Sequence, residues 1–221
     1  MKKVAFFHTT MNTPLTLKKA FEERYPGVQL ISVMDDGIVP EVIAHDNQIT
    51  PGIVRKLIHF AQENKAVGAA VAVCMCTTIT EAVEEARKAT DIPFLTIDGP
   101  MLDAAVKAGQ RIALLITAET TCRASSAAIR RAAARQGRKN IQMDTILVPG
   151  AFDALNTEKD KQKHDKLIAE CAREAAKNHD VIVLAQVSMV DAADLISDLT
   201  VPVFTSLESG LAQIGAYLQE D

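Results

Sequence analysis

The sequence contains no tryptophan, and its aromatic residues together amount to 4% of 221. Nucleic-acid binding through interleaved aromatic and basic side chains therefore has little to build on. Positive charge is not in excess either. The 24 Lys and Arg stand against 28 Asp and Glu, a net charge of −4, so no overall field draws the chain to nucleic acid or to an anionic membrane. Long apolar runs are missing: the longest, residues 67–76, includes a glycine and falls far short of the about 20 residues that span a bilayer. Lys2-Lys3 is followed by only four apolar residues, Val4 to Phe7, too few for a secretory segment. The expected setting is the cytoplasm. Four cysteines, Cys74, Cys76, Cys122 and Cys171, are too few and too scattered for a disulfide framework. Gly-rich phosphate loops, C-x-x-C and H-E-x-x-H are all absent, and the five histidines are dispersed. No cofactor and no metal are expected.

What the chain does have is alternation. Apolar residues make up 48% and charged residues 24%, the balance of an ordinary globular protein, over a length that suits one large domain or two small ones. Short apolar runs predict strands at 4–8, 29–33, 68–75, 93–97, 111–117, 143–148, 181–186 and 202–204, of the kind covered on both faces. Amphipathic stretches lie between them. Thr50-Pro51 reads as an N-cap followed by proline at the first helical position. Thr78 with Glu81 reads as a capping box opening a helix over 78–88. This alternation predicts an α/β fold with parallel sheets, either a (β/α)8 barrel or two doubly wound sheets.

An internal repeat bears on that choice. Val4-Ala5-Phe6-Phe7-His8-Thr9-Thr10 resembles Ile112-Ala113-Leu114-Leu115-Ile116-Thr117-Ala118 at an offset of 108. Pro93, Thr96 and Leu102 recur as Pro202, Thr205 and Leu211 at an offset of 109. Cys76-Thr77-Thr78-Ile79-Thr80-Glu81-Ala82 aligns with Gln186-Val187-Ser188-Met189-Val190-Asp191-Ala192 at an offset of 110. The near-constant spacing points to two halves descended from one unit. A duplicated half-barrel would carry the same signal.

Ligands of parallel α/β folds bind at the carboxyl ends of strands, and polar residues gather at those ends here. Cys76 closes a buried strand and precedes Thr77-Thr78 and a helix, where backbone N–H groups favour a thiolate and an anionic substrate. It reads either as a reactive thiol or as a buried small hydrophobe. Cys74 lies deeper in the same strand and reads as packing. His8, Thr9 and Thr10 end the first strand, with Asn12 and Thr13 following; Asn12 or Thr13 is also an ordinary helix cap. His8 is either an acid/base group or a satisfied buried histidine. Thr117, Glu119 and Thr120 end the corresponding strand of the second half, and Gln186, Val187 and Ser188 stand where Cys76 stands in the first. The basic stretch Arg123 to Lys139 reads as a solvated or subunit-contact face rather than an RNA-binding one.

These residues resemble the Asp/Glu/hydantoin racemase superfamily, cofactor-independent enzymes with one cysteine at a strand end in each of two halves. Met75-Cys76-Thr77-Thr78 resembles the first cysteine motif. Leu184-Ala185-Gln186-Val187-Ser188-Met189 resembles the second, with Gln186 in place of the thiol. The stretch from Arg111 to Thr120 is similar to the segment whose threonines hold the substrate carboxylate, and 93–104 and 202–213 resemble a further paired segment. The resemblance implies two pseudo-symmetric doubly wound halves, each a four-stranded mainly parallel sheet flanked by helices, with the active site between them. The halves would comprise 1–97 with 206–221, and 98–205.

It also implies a racemase/isomerase-type enzyme acting at the carbon next to the carboxylate of a small amino acid or related acid, and a homo-oligomer. Cys76 would be the catalytic thiol and His8 a second acid/base. Thr9, Thr10, Asn12, Thr77, Thr78, Thr117, Thr120, Gln186, Val187 and Ser188 would hold substrate. A two-base racemase needs an acid/base group on each side of the carbon, and Gln186 cannot be one. Related single-cysteine enzymes decarboxylate, although they keep the second cysteine rather than the first. A single-cysteine decarboxylase or isomerase, and a small-carboxylate binding protein without catalysis, are therefore the alternatives.

Overall fold

A computed structural model describes residues 1–11 and 14–219. The chain divides into two compact units, Met1–Ile97 with Leu207–Asp221, and Asp98–Ser206.

The first unit holds β1 (Lys3–His8), α1 (Pro14–Arg24), β2 (Gln29–Met34), α2 (Ile38–Ala44), α3 (Pro51–Ala66), β3 (Ala69–Cys74), a 3-10 turn (Thr77–Ile79), α4 (Thr80–Arg87) and β4 (Phe94–Thr96). Its strands are all parallel, in the order β2-β1-β3-β4. Side chains alternate across that sheet. Ala5, Phe7, Ala72 and Cys74 face α2, α3 and α4 in one cluster, where Phe7 meets Phe60 with ring centroids 5.0 Å apart. Phe6 faces the other way and meets Phe21 of α1 at 5.2 Å.

The chain's last helix also belongs to this unit. At Gly210 it comes so close to β4 that a Cβ there would lie 2.2 Å from the Ile97 carbonyl oxygen. The Tyr25 hydroxyl, just beyond α1, donates to the Leu211 carbonyl at 2.7 Å.

The second unit holds α5 (Gly99–Ala108), β5 (Arg111–Ile116), a 3-10 turn (Glu119–Thr121), α6 (Cys122–Arg135), β6 (Gln142–Leu147), α7 (Ala151–Asn156), α8 (Lys161–Ala175), β7 (Val181–Leu184), a 3-10 segment (Val187–Ile196) and β8 (Val203–Phe204); α9 (Leu207–Leu218) then returns to the first unit. Its parallel sheet has the order β6-β5-β7-β8, the same as the first with each strand moved along by four. Ile112, Leu114, Val181 and Val183 pack on α5 and α6. Ala113, Leu115, Ile182 and Leu184 pack on α7, α8 and the 3-10 segment. Two separate four-stranded sheets exclude the barrel. Among the described residues no helix is long and apolar enough to cross a membrane.

Thr50 caps α3 as its sequence indicates: its hydroxyl accepts from the Ile53 N–H, with Pro51 in the first turn. The capping box at Thr78 does not form. The α-helix begins two residues later, at Thr80, behind a 3-10 turn, and no side chain caps it. The Thr78 hydroxyl and N–H instead act on the Cys76 thiol, each lowering its pKa.

Candidate functional site

Two turns, after β1 and after β3, bring polar groups to the carboxyl edge of the first unit's sheet. Cys76 lies two residues past the end of β3, in extended conformation with φ −123° and ψ 118°. On the same sheet face, Cys74 is fully buried and its thiol donates to the Cys76 carbonyl at 3.4 Å, which fits packing rather than chemistry. Cys76 itself is half-buried. Burial pushes its thiol above the ordinary value, and hydrogen bonds from Thr9, from the Thr78 N–H and hydroxyl, and from the Ile79 N–H pull the other way. Thr9 Oγ1 is buried with no partner at conventional hydrogen-bond geometry, so its pull on the sulfur is a loose contact, weaker than a full hydrogen bond. The sulfur thus sits among donors that stabilise a thiolate, in surroundings dry enough to keep it protonated at rest.

The second unit repeats the geometry with different chemistry. Phe7 pairs with Cys74 across β1 and β3, and Thr9 and Cys76 lie two residues further along each strand. Leu115 pairs with Leu184 across β5 and β7, and Thr117 and Gln186 lie two residues further along. Here the contact is short. The Thr117 N–H donates to Gln186 Oε1 at 2.7 Å and its hydroxyl does so at 3.0 Å. With its oxygen so engaged, the amide keeps the two N–H groups of Nε2 to donate. Thr120 is half-buried in the 3-10 turn after β5, and Val187 and Ser188 are half-buried at the start of the longer 3-10 segment. That segment is tied to α8 by Lys161, whose Nζ lies 2.6 Å from Asp165 and 2.8 Å from Asp191.

His8 goes elsewhere. Its ring meets Phe6 edge-on at 6.1 Å, on the α1 face of the sheet, whereas Cys76 packs with the cluster on the opposite face. Only 2% exposed, with neither ring nitrogen hydrogen-bonded, it has its pKa lowered by burial to about 4. The structure therefore brings Thr9, Thr78 and Cys76 together, and separately Thr117 and Gln186, but not His8 and Cys76. Thr77 is buried in the turn beside Cys76, Thr10 is exposed, and Asn12 lies outside the described residues. The Ile79 N–H is a contributor that residue types do not reveal, because every non-proline residue carries the same donor. Among the described residues no group of three or more His, Cys, Asp or Glu is placed to hold a metal ion.

The family model for Asp/Glu/hydantoin racemases matches residues 9–214. The chain belongs to that family. It is accordingly an enzyme of racemase-like type. A comparison with curated protein sequences finds no match. Among solved structures, this racemase-family chain is similar to glutamate racemase isoform RacE1 from Bacillus anthracis, with a TM-score of 0.71 and 16% identity over 99% of this chain and 82% of that one. It is similar to aspartate racemase from Picrophilus torridus, with a TM-score of 0.71 and 13% identity over 100% and 96%. A glycine-to-cysteine mutant of arylmalonate decarboxylase, in a sulfate-associated form, gives a TM-score of 0.61 and 15% identity over 97% and 92%. At such identities the likeness is one of fold.

Proposed function

We propose that the chain is a cofactor-independent enzyme of racemase/isomerase type, acting at the carbon next to the carboxylate of a small acid, with Cys76 as its proton-transfer group. The observation that carries this reading is the set of donors around the Cys76 sulfur, with N–H groups from Thr78 and Ile79. Once the thiol has given up its own proton to solvent, the thiolate takes the proton from carbon and leaves an enediolate. Return from the same sulfur exchanges the proton on that face, and inversion requires water to protonate the opposite face. Neutral donors suit the developing negative charge because their dipoles are already oriented. The solved structures with this fold bear the names of enzymes that racemise glutamate and aspartate, which supports chemistry at such a carbon. His8 has no part in this step, since its ring faces away from the sulfur.

The Thr117–Gln186 contact favours a second reading within the same chemistry. An amide tied by its oxygen donates hydrogen bonds but transfers no proton. The reaction would then be a one-sided isomerisation or decarboxylation, with Cys76 alone protonating the planar intermediate. The likeness to an arylmalonate decarboxylase supports that variant.

Incubation with candidate acids in D2O, with the α-proton followed by NMR, tests the thiol chemistry. Exchange in the wild type, abolished in Cys76→Ala, is the expected result. Exchange undiminished in Cys76→Ala removes the thiol from the mechanism, and saturable binding with neither exchange nor product leaves a carboxylate-binding protein without catalysis.

A further inference from the structure

The outer edge of a sheet offers unpaired backbone groups to any strand that meets it. Folded proteins blunt such edges by keeping them short, placing charge on them or covering them. Three of the four sheet edges here are blunted. β4 has three residues, with the Phe94 carbonyl already accepting from Arg87 Nε, and β8 has two. β6 has six, but Asp144 stands within it, 75% exposed and 3.0 Å from His179 Nε2.

β2 is the exception. Its six residues, Gln29-Leu30-Ile31-Ser32-Val33-Met34, include no charge and no proline, and Val33 and Met34 are exposed. Among the described residues it pairs with β1 alone. The Gln29 and Asp35 N–H groups donate to the carbonyls of Lys2 and His8, at 2.9 and 3.0 Å. Alternation along the strand then turns the backbone groups of Gln29, Ile31 and Val33 toward β1. The N–H and C=O groups of Leu30, Ser32 and Met34 point outward.

That outward row is complementary to itself. A second copy of β2, related by a two-fold axis through Ser32 and perpendicular to the sheet, runs antiparallel to the first. Ser32 then faces the partner's Ser32 and Leu30 faces the partner's Met34, each such pair exchanging two N–H···O bonds. No other register matches all three outward residues with outward residues of the same strand. Side chains at facing positions share a sheet face. Ile31, which packs on the α2–α4 side, adjoins the partner's Val33 there, and Leu30 adjoins the partner's Met34 on the other side. Asp35 and Asp36 come opposite the partner's Gln29 and Val28, so no like charges meet. We propose that the chain forms a two-fold homodimer through β2, in which the sheets of two first units become one continuous sheet. The assembly does not depend on the thiol chemistry.

Sedimentation equilibrium of the full chain, from nanomolar to high micromolar concentration, reads the assembly. A monomer–dimer equilibrium is expected, and a monomer throughout overturns the proposal. Ser32→Pro removes an outward N–H and sets a ring against the partner. It costs β1 no hydrogen bond, and proline is tolerated at such edge positions. The dimer dissociation constant should rise at least tenfold; an unchanged constant in a folded variant places the interface elsewhere and overturns the proposal. Ser32→Cys decides the matter if the proline variant does not fold. Facing Cα atoms of a hydrogen-bonded antiparallel pair lie about 5.5 Å apart, within reach of a disulfide. Mild oxidation should yield a peptide linked through position 32 of both chains, identified by mass spectrometry. Dimers that never carry that linkage overturn the proposal.

Discussion

Gln186 offers its side-chain oxygen to both the N–H and the hydroxyl of Thr117, at 2.7 and 3.0 Å. In the other unit the corresponding pair is Cys76 and Thr9, a thiol beside a hydroxyl. One scaffold thus carries a group that can exchange a proton and, at the equivalent place, one that can only donate hydrogen bonds. Replacing Gln186 by Ala should leave the Thr117 donors without their acceptor. Thr117 is 5% exposed, so a loss of about 1–3 kcal/mol is expected, measured as a lower urea midpoint, together with weaker carboxylate binding. An unchanged midpoint would show that water replaces the amide.

Thr78 should tune the Cys76 thiol. Its hydroxyl and N–H both lower the thiol's pKa against the upward push of burial. In the wild type the pH midpoint of Cys76 alkylation is expected above that of an ordinary cysteine. Thr78→Val removes the hydroxyl, keeps the N–H and should move the midpoint higher still. A midpoint that stays put would mean the hydroxyl does not reach the sulfur.

His8 should make the fold sensitive to mild acid. Its pKa falls from 6.5 to about 4 because its buried ring resists charge. Between those values the unfolded chain binds more protons than the folded one, so stability falls as pH drops through this window. The contribution is fully present above about pH 6.5, is lost by about pH 4, and amounts to roughly 3 kcal/mol. Urea unfolding of wild type and His8→Phe at pH 7 and pH 5 measures it. Equal pH sensitivity in the two proteins would place its origin elsewhere.

Gly210 should tolerate no side chain. An added Cβ would sit 2.2 Å from the Ile97 carbonyl oxygen and 2.4 Å from Ile97 Cδ1, forcing α9 off β4. Gly210→Ala is expected to destabilise by about 1–3 kcal/mol, visible as a lower melting temperature. A melting temperature equal to wild type would mean that α9 shifts at no cost.

Much of the architecture could be read from residue order. Apolar runs such as Val4 to Phe7 and Ile112 to Ile116 are strands because, covered on both faces, every position must be apolar. The offsets near 110 marked the two halves for the same reason: a duplicated core keeps its pattern. The capping box at Thr78 misled because the chain makes a 3-10 turn at Thr77–Ile79 first, so the α-helix starts only at Thr80. His8 misled in a different way. A strand end offers two faces, and its ring joined Phe6 on the face away from the thiol.

The order of residues along the chain was enough to establish a duplicated α/β pattern, a thiol at one strand end and an amide at the matching end of the other, since periodicity and spacing are properties of the chain alone. That the strands pair as two sheets and not as one barrel was decided by the tertiary structure. Folding settled which polar groups meet. Thr78 acts on Cys76, Thr117 donates to Gln186, and His8 turns away. Each of those outcomes depends on side-chain direction, on backbone N–H groups common to nearly all residues, and on how much water the surrounding packing excludes.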